Sequence, residues 1–275
     1  MTKELVSVVL PVFNADPSFL EQSVQSILSQ NYTELELIVA FECCNAMIDD
    51  SALAVLEEHK DDHRLRLIMI KRRLGLAASL NEGIKVSKGK IIARMDCDDV
   101  SLPPRIEEEL KEVQKGRADL VGCWARVIDR STQDLGRLSP PCEWQDVRRN
   151  LLFHNPFVHS TILFRKRVVE VAGLYKPEFE LTEDYEFYMR AFSVGFRGTN
   201  LPKYLQLLRE HDASLLGGNK WKRNRIAYLK CKLSAVFDYG FNRPRDIVFL
   251  GITPLAFLLN PKKVLTAKRL VGLYH

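Results

Sequence analysis

The stretch Ile91-Ile92-Ala93-Arg94-Met95-Asp96-Cys97-Asp98-Asp99 opens as an apolar run and ends in three carboxylates. The apolar part, taken over residues 90–95, predicts a buried strand, and the acids follow where that strand emerges. Four more short runs rich in Val, Ile and Leu share this texture, at residues 6–12, 35–41, 65–70 and 120–127. Between them, residues 18–29, 51–58 and 77–86 carry apolar side chains at helical spacing. Strands separated by helices predict an α/β fold with a mainly parallel, Rossmann-like central sheet and helices on both faces. Such sheets bind ligands beyond the carboxyl ends of their strands, near the point where strand order reverses. That rule singles out residues 14–16, 42–44 and 96–99, each directly after a predicted strand.

Beyond about residue 131 the texture changes. Ser139-Pro140-Pro141 signals a loop, followed by a predicted helix over 145–153, the turn His154-Asn155-Pro156, a strand over 160–164, a helix over 182–194 and a strand over 204–208. A chain of 275 residues with 46% apolar content can bury a large core. Its six cysteines, at 43, 44, 97, 123, 142 and 231, show neither metal-ligand spacing nor a pairing pattern, which fits a reducing cytoplasm. Residues 6–13 lack a basic lead-in and contain Pro11, so a strand is expected there rather than a signal peptide.

Alternate residues on an extended backbone face the same way, so Asp96 and Asp98 are expected to point at one ligand. Clustered like charges need a cation or hydrogen bonds. A hard divalent ion, Mn2+ or Mg2+, sharing its coordination with a diphosphate is one compensator. The other reading is a polar loop leading into a helix, with Ser101 as N-cap and Pro103 in its first turn. Thr182-Glu183-Asp184-Tyr185 likewise has two readings: a general base for an acceptor hydroxyl, or the capped, acidic first turn of a helix. Both hold together, since a helix terminus is a rigid mount for a base. Arg72-Arg73 before Gly75 suits a diphosphate or a solvated turn. His211 suits a metal, a phosphate or a structural role. No nucleophilic Ser or Cys arrangement, P-loop or GxGxxG is present.

Taken in order, these segments resemble the family 2 glycosyltransferases of GT-A fold, over about residues 6–214. Val6-Ser7-Val8-Val9-Leu10-Pro11-Val12-Phe13-Asn14 is similar to the family's opening strand, and Ser23-Val24-Gln25-Ser26-Ile27-Leu28-Ser29-Gln30 to its first helix. Gly75-Leu76-Ala77-Ala78-Ser79-Leu80-Asn81-Glu82-Gly83 resembles the segment before the metal motif, and Asp96-Cys97-Asp98-Asp99 the DxD motif itself. Asn155-Pro156-Phe157-Val158-His159-Ser160 and Thr182-Glu183-Asp184 resemble the acceptor-side motifs. One departure stands out. Where the family usually has two acids before Gly-Ser, this chain has Phe41-Glu42-Cys43-Cys44, so the base-contacting acid is a longer glutamate.

The resemblance implies an inverting, metal-dependent hexosyl- or N-acetylhexosaminyltransferase. Its donor would be a nucleotide diphosphate sugar, with UDP expected, and its acceptor a glycan or lipid-linked hydroxyl in cell-surface polysaccharide synthesis. It implies Asp184 as catalytic base and Asp98, Asp99 and His211 on the metal. It puts Pro11, Phe13, Asn14, Glu42, Arg72, Arg73, Asn81, Asp96, Glu183 and Arg209 against the nucleotide sugar. A nucleotidyltransferase would need a basic, Gly-rich triphosphate loop near the first strand, and Pro11-Val12-Phe13-Asn14 is not one. A non-catalytic sugar-nucleotide binder in a polysaccharide assembly complex is the other alternative, favoured by Phe41-Glu42 and opposed by the retained Asp96, Asp98, Asp99 and Asp184.

Charge divides the chain into an expected catalytic domain, residues 1–216, and a basic helical extension, residues 217–275. The extension holds 12 Lys and Arg against 2 Asp, while the rest holds 28 against 33 acids. Residues 220–239 place apolar side chains at 226, 229, 233, 236 and 237, a helical stripe among Lys222, Arg223, Arg225, Lys230 and Lys232. Residues 247–259 are nearly all apolar but fall short of the roughly 20 needed to cross a bilayer. Basic residues beside an apolar helix suit an anionic membrane surface, here the inner face of the plasma membrane. Packing on the catalytic domain is the alternative. No nucleic-acid recognition motif accompanies the charge.

Overall fold

The computed structural model describes residues 4–43, 46–151, 153–210 and 221–240. The strand β1 (Val6–Val12) is buried at every position and lies at the centre of the sheet. It pairs in parallel with β2 (Leu35–Glu42) on one side and β4 (Ile91–Arg94) on the other, and β2 pairs in parallel with β3 (Leu65–Ile70). The chain thus builds outward from β1 through β2 to β3, then crosses back to the far side of β1. The strand order reverses between β1 and β4, and that is where a crevice opens at the carboxyl ends. The rest of the sheet is mixed: β6 (Leu120–Ile128) and β9 (Gly198–Arg209) are parallel, β8 (Leu163–Arg165) lies antiparallel between β4 and β6, and the two-residue β5 (Val100–Ser101) runs antiparallel to β9. The ninth strand, β7 (Asp134–Leu138), forms a hairpin with β6.

Side chains alternate across β1, and both faces are covered. Val6, Val8, Leu10 and Val12 pack with Leu20, Val24 and Ile27 of α1 (Pro17–Leu28) and with Ala52 and Leu56 of α2 (Ala46–Glu58). Val9 faces the other way, onto Leu80 and Ile84 of α3 (Leu76–Val86). The helices start where local chemistry allows. Asp16 caps α1 by accepting from the Ser18 backbone N–H at 3.0 Å, with Pro17 in the first turn. Gly83 lets α3 approach the sheet, since a methyl group there would lie 2.4 Å from Val9 Cγ1.

Several expected boundaries move. Ser101 does not cap a helix: it lies in β5 and its hydroxyl accepts from Gln30 Nε2 at 3.1 Å, while α4 (Arg105–Gln114) starts four residues on, after Pro104. The stretch 160–164 is a 3-10 turn, His159–Thr161, followed by β8. The strand expected over 204–208 spans all of β9. The helices near 145–153 and 182–194 are present as α5 (Trp144–Leu151) and α7 (Glu183–Ser193), with a short α6 (Arg167–Ala172) between them.

In the basic extension, α8 (Trp221–Phe237) packs on α7, and its Cys231 and Ala235 join the same core as Tyr185 and Met189. Of the expected stripe, Leu233 is 41% and Phe237 80% exposed, and Leu229 is half-buried. Residues 241–275, including the apolar run 247–259, lie outside the described residues, as does His211. No described helix is long and apolar enough to cross a membrane. Five described cysteines are free thiols.

The close contact at Gly83 makes a stability prediction. Gly83→Ala should lower unfolding stability by about 1–3 kcal/mol through overpacking against Val9, measured by urea denaturation; an unchanged midpoint would mean that α3 can shift freely.

Candidate functional site

The strand β4 ends at Arg94, and the chain then turns at Cys97-Asp98 before entering β5. Asp96, Asp98 and Asp99 converge there, with one oxygen from each carboxylate within 4.8 Å of the others. The expected convergence is present, but the turn produces it rather than extended alternation, and this brings in Asp99 as well. Each acid is held from a different element. The buried Arg94 guanidinium bonds both oxygens of Asp96, with Nη1 to Oδ2 at 2.5 Å. The Asp96 carbonyl accepts from Ser23 Oγ of α1 at 2.7 Å. Asp99 accepts from the Arg209 backbone N–H at 2.9 Å and from Gln206 Nε2 at 3.3 Å, both on β9. The Gln206 amide is oriented by Arg105, whose fully buried Nη1 donates to Gln206 Oε1 and to the Ser160 carbonyl, both at 2.8 Å.

Burial, reinforced by the neighbouring Asp96 and Asp98, pushes the Asp99 carboxyl up to about 8. Burial also raises Asp96, with Arg94 opposing it and Asp98 and Asp184 adding to it. Three converging hard oxygen donors whose mutual repulsion is under-compensated fit a divalent cation such as Mn2+ or Mg2+.

A second acid set lies at the start of α7. Leu181 adopts a left-handed φ of 75°, a strained conformation for a branched side chain, and re-aims the chain just before the helix. Thr182 stands at the N-cap position, but its hydroxyl donates to the Phe179 carbonyl at 3.2 Å instead of capping. Asp184 Oδ1 accepts from the Tyr185 N–H at 2.7 Å, and Oδ2 accepts from Asn155 Nδ2 at 2.5 Å. His159 Nδ1 lies 3.9 Å from Asp184 Oδ2, and its Nε2 meets the Tyr175 hydroxyl at 3.2 Å. Burial, aided by the Arg94 charge, pushes His159 well below its ordinary pKa, so it is neutral. Burial raises Asp184 above the ordinary aspartate value against the pull of its hydrogen bonds and Arg94. Burial and the Asp184 charge bring Glu183 to about 7.

At the ends of β1 and β2 the expected donor contacts separate into two kinds. Pro11 is buried within β1, Phe13 is half-buried and Asn14 is exposed with a left-handed φ of 47°. Arg72 and Arg73 are exposed, and the Arg73 guanidinium lies 4.6 Å from the centre of the Phe13 ring. Phe13, Asn14, Arg72 and Arg73 remain open to a ligand, and Pro11 does not.

Three others are turned inward and bonded to the protein. Arg209 is 3% exposed: its Nε donates to the Asp98 carbonyl at 2.9 Å, Nη1 to the Asp129 and Arg130 carbonyls, and Nη2 to Gln22 Oε1 at 2.8 Å. Asn81 is 8% exposed, and its amide bonds both the N–H and the carbonyl of Tyr175. Glu42 is 2% exposed, and its carboxylate accepts from the Gly75 N–H at 2.9 Å, the Leu74 N–H at 3.2 Å and the Ser79 hydroxyl. Each braces the site from behind because its polar atoms already have protein partners.

Arg94, Arg105 and Gln206 are site residues that the sequence reading did not assign, while Asn155 and His159 lay in an expected acceptor-side segment with no role given to either. Arg94 had a legible signal, a charge inside an otherwise apolar strand just before an acidic cluster. Arg105 and Gln206 had none, since their meeting depends on how β9 lies across the sheet.

Residues 7–171 match the family model of glycosyl transferase family 2. The O-antigen biosynthesis glycosyltransferase WbnJ of Escherichia coli is 29% identical over 237 residues, covering 83% of this chain and 86% of that protein. The structure of S. aureus TarS 1-349 in complex with UDP-GlcNAc superposes with a TM-score of 0.70 at 15% identity, covering 89% of this chain and 70% of that one. The mannosyltransferase PcManGT from Pyrobaculum calidifontis, in complex with GDP-Man and Mn2+, superposes with a TM-score of 0.62 at 17% identity, covering 97% and 79%. At such identities the two structures establish a shared fold.

The brace formed by Arg209 is testable directly. Arg209→Lys keeps the charge but loses the planar fork, so Mn2+ should bind roughly tenfold more weakly, read as free Mn2+ by electron paramagnetic resonance. Unchanged affinity would remove Arg209 from the support of the acidic turn.

Proposed function

The chain belongs to glycosyltransferase family 2 and has the GT-A fold, and from that premise we propose that it transfers a sugar, with inversion, from a nucleotide diphosphate donor to an acceptor hydroxyl. The observation that carries this reading is the presence of two acid sets around one buried arginine. Arg94 bonds Asp96 on the donor side, and its charge also acts on Asp184. Two such sets suit an inverting displacement, one holding a cation for the leaving diphosphate and one receiving the proton of the incoming hydroxyl.

Asp98 and Asp99, with Asp96 alongside, would hold Mn2+ or Mg2+, and His211 remains a proposed further ligand. Bound there, the ion supplies a Lewis acid that neutralises charge building on the departing diphosphate. Arg72 and Arg73 are exposed cations suited to the donor's phosphates. Asp184 takes the acceptor proton as the acceptor oxygen bonds to the anomeric carbon and the anomeric carbon–oxygen bond to the diphosphate breaks. A carboxylate raised above the ordinary aspartate value is a better proton acceptor for that transfer than an ordinary aspartate. We take the donor to be a UDP-sugar, with its nucleotide on the side of Phe13 and Asn14; TarS, which shares the fold, binds UDP-GlcNAc. We take the transfer to be of a hexosyl or N-acetylhexosaminyl group to a glycan or lipid-linked acceptor in surface polysaccharide synthesis, the setting named for WbnJ. Glu42 then serves base recognition only at one remove, by fixing the turn that carries Leu74 and Gly75.

We further take the chain to work at the inner face of the plasma membrane. Support comes from the outward Leu233 and Phe237 and from the excess of Lys and Arg in residues 217–275.

Two measurements test these readings. Asp184→Asn should abolish transfer while donor binding by calorimetry survives, and excess chelator should abolish transfer by the wild type. Normal turnover in the variant removes Asp184 as base, and undiminished turnover in chelator removes the metal. Replacing Leu233 and Phe237 together by Ser should cut sedimentation with anionic liposomes at least severalfold; equal sedimentation would sink the membrane reading.

A further inference from the structure

Asn155 sits at the end of a short wedged segment, not on a loose loop. Pro156 and Phe157 are buried, the Phe157 ring lies 4.8 Å from the Tyr188 ring of α7, and Asn200 Nδ2 donates to the Pro156 carbonyl at 3.0 Å. Asn155 Oδ1 accepts from the Phe157 backbone N–H at 3.1 Å. Because that N–H can only donate, the oxygen of the amide is assigned to it and the NH2 group must face Asp184 Oδ2. The other carboxylate oxygen is held by the Tyr185 N–H. The Asp184 carboxylate is therefore gripped by one donor on each oxygen, one from α7 and one from the segment before β8.

We propose that Asn155 is a positioning residue for the catalytic base, fixing the Asp184 carboxylate in one orientation and holding it in the anionic form that receives the acceptor proton. This rests on Asp184 being the base. An N–H donated to a carboxylate favours its ionised form, while the apolar surroundings disfavour it. The other groups facing Asp184 are Arg94 of β4, Asp96 of the acidic turn, neutral His159, Tyr175, Cys231 of α8, and Glu183, Tyr185 and Tyr188 of α7. Among the side chains, Asn155 is the neutral donor bonded to the carboxylate, so its removal should change the protonation equilibrium without changing the net charge of the site.

The test is the pH dependence of kcat/KM for the acceptor. Asn155→Asp is isosteric and keeps an acceptor for the Phe157 N–H, so the local turn survives while the donor becomes a second carboxylate. Its acidic limb should move up by about one pH unit or more, since a like charge replaces a donor, and donor affinity by calorimetry should stay within about twofold of wild type. Asn155→Ala should move the limb the same way by less. Asp184→Asn separates the two ideas. If that variant turns over normally, the base assignment falls and this proposal with it. If it is inactive and Asn155→Ala leaves the limb in place, the positioning role alone is overturned, even where kcat has dropped, because a shift confined to Asn155→Asp follows from its added charge.

Discussion

Three carboxylates that approach within 4.8 Å repel one another, and that repulsion is the constraint around which the site is built. At an effective dielectric of about 20, each pair at that separation costs roughly 3–4 kcal/mol. Burial adds to it, and together with the Asp96 and Asp98 charges pushes Asp99 up to about 8, so proton uptake meets part of the cost. Donors meet the rest: Arg94 beneath Asp96 and, from far along the chain, the Arg209 N–H and Gln206 amide on Asp99. Removing Asp96 would leave the buried Arg94 charge without its ion-pair partner, a change that typically costs about 3–5 kcal/mol. The turn is therefore stable only inside this fold.

The mixed half of the sheet makes that support possible. The parallel strands β3, β2, β1 and β4 create the crevice but offer few donors to the acids beyond it. The short β5 carries the chain from the acidic turn onto β9, and β9 in turn delivers Gln206 and Arg209. Arg105 locks the arrangement from below by bonding the Arg94 and Ser160 carbonyls and Gln206. The acceptor side is tied in separately, through α7 and the segment around Asn155. The α8 helix reinforces both, since Lys232 Nζ donates to the Phe153 carbonyl at 3.1 Å and Lys230 Nζ to the Glu178 carbonyl at 2.9 Å. The first helix of the basic extension is thus a wall of the catalytic core.

How much of this was legible depended on whether the signal was local. The apolar run at 6–12 coincides with β1, because a strand buried on both faces leaves a continuous apolar signature; the run at 65–70 coincides with β3, although that edge strand is largely exposed. The acidic cluster was found because a strand ending in three acids is unusual in any context. Ser101 was misread because a serine before prolines looks like a helix cap, yet β9 offered it a sheet partner that no local pattern reveals. The stripe on α8 is shared between two faces that no periodicity separates. Cys231 and Ala235 are small enough to pack closely on α7, and bulkier Leu233 and Phe237 are left outside.

The same limit applies to the polar residues near the crevice. Arg209, Asn81 and Glu42 are almost fully buried and bonded to the protein through their polar atoms. Breaking such bonds to make new ones with a ligand would return little net free energy. Arg72, Arg73 and Asn14 are exposed. Sequence shows which residue types lie near a strand end, but not which way their hydrogens and lone pairs point. That direction is set by elements such as β9 and Tyr175, which lie some 94 to 110 residues away in the chain.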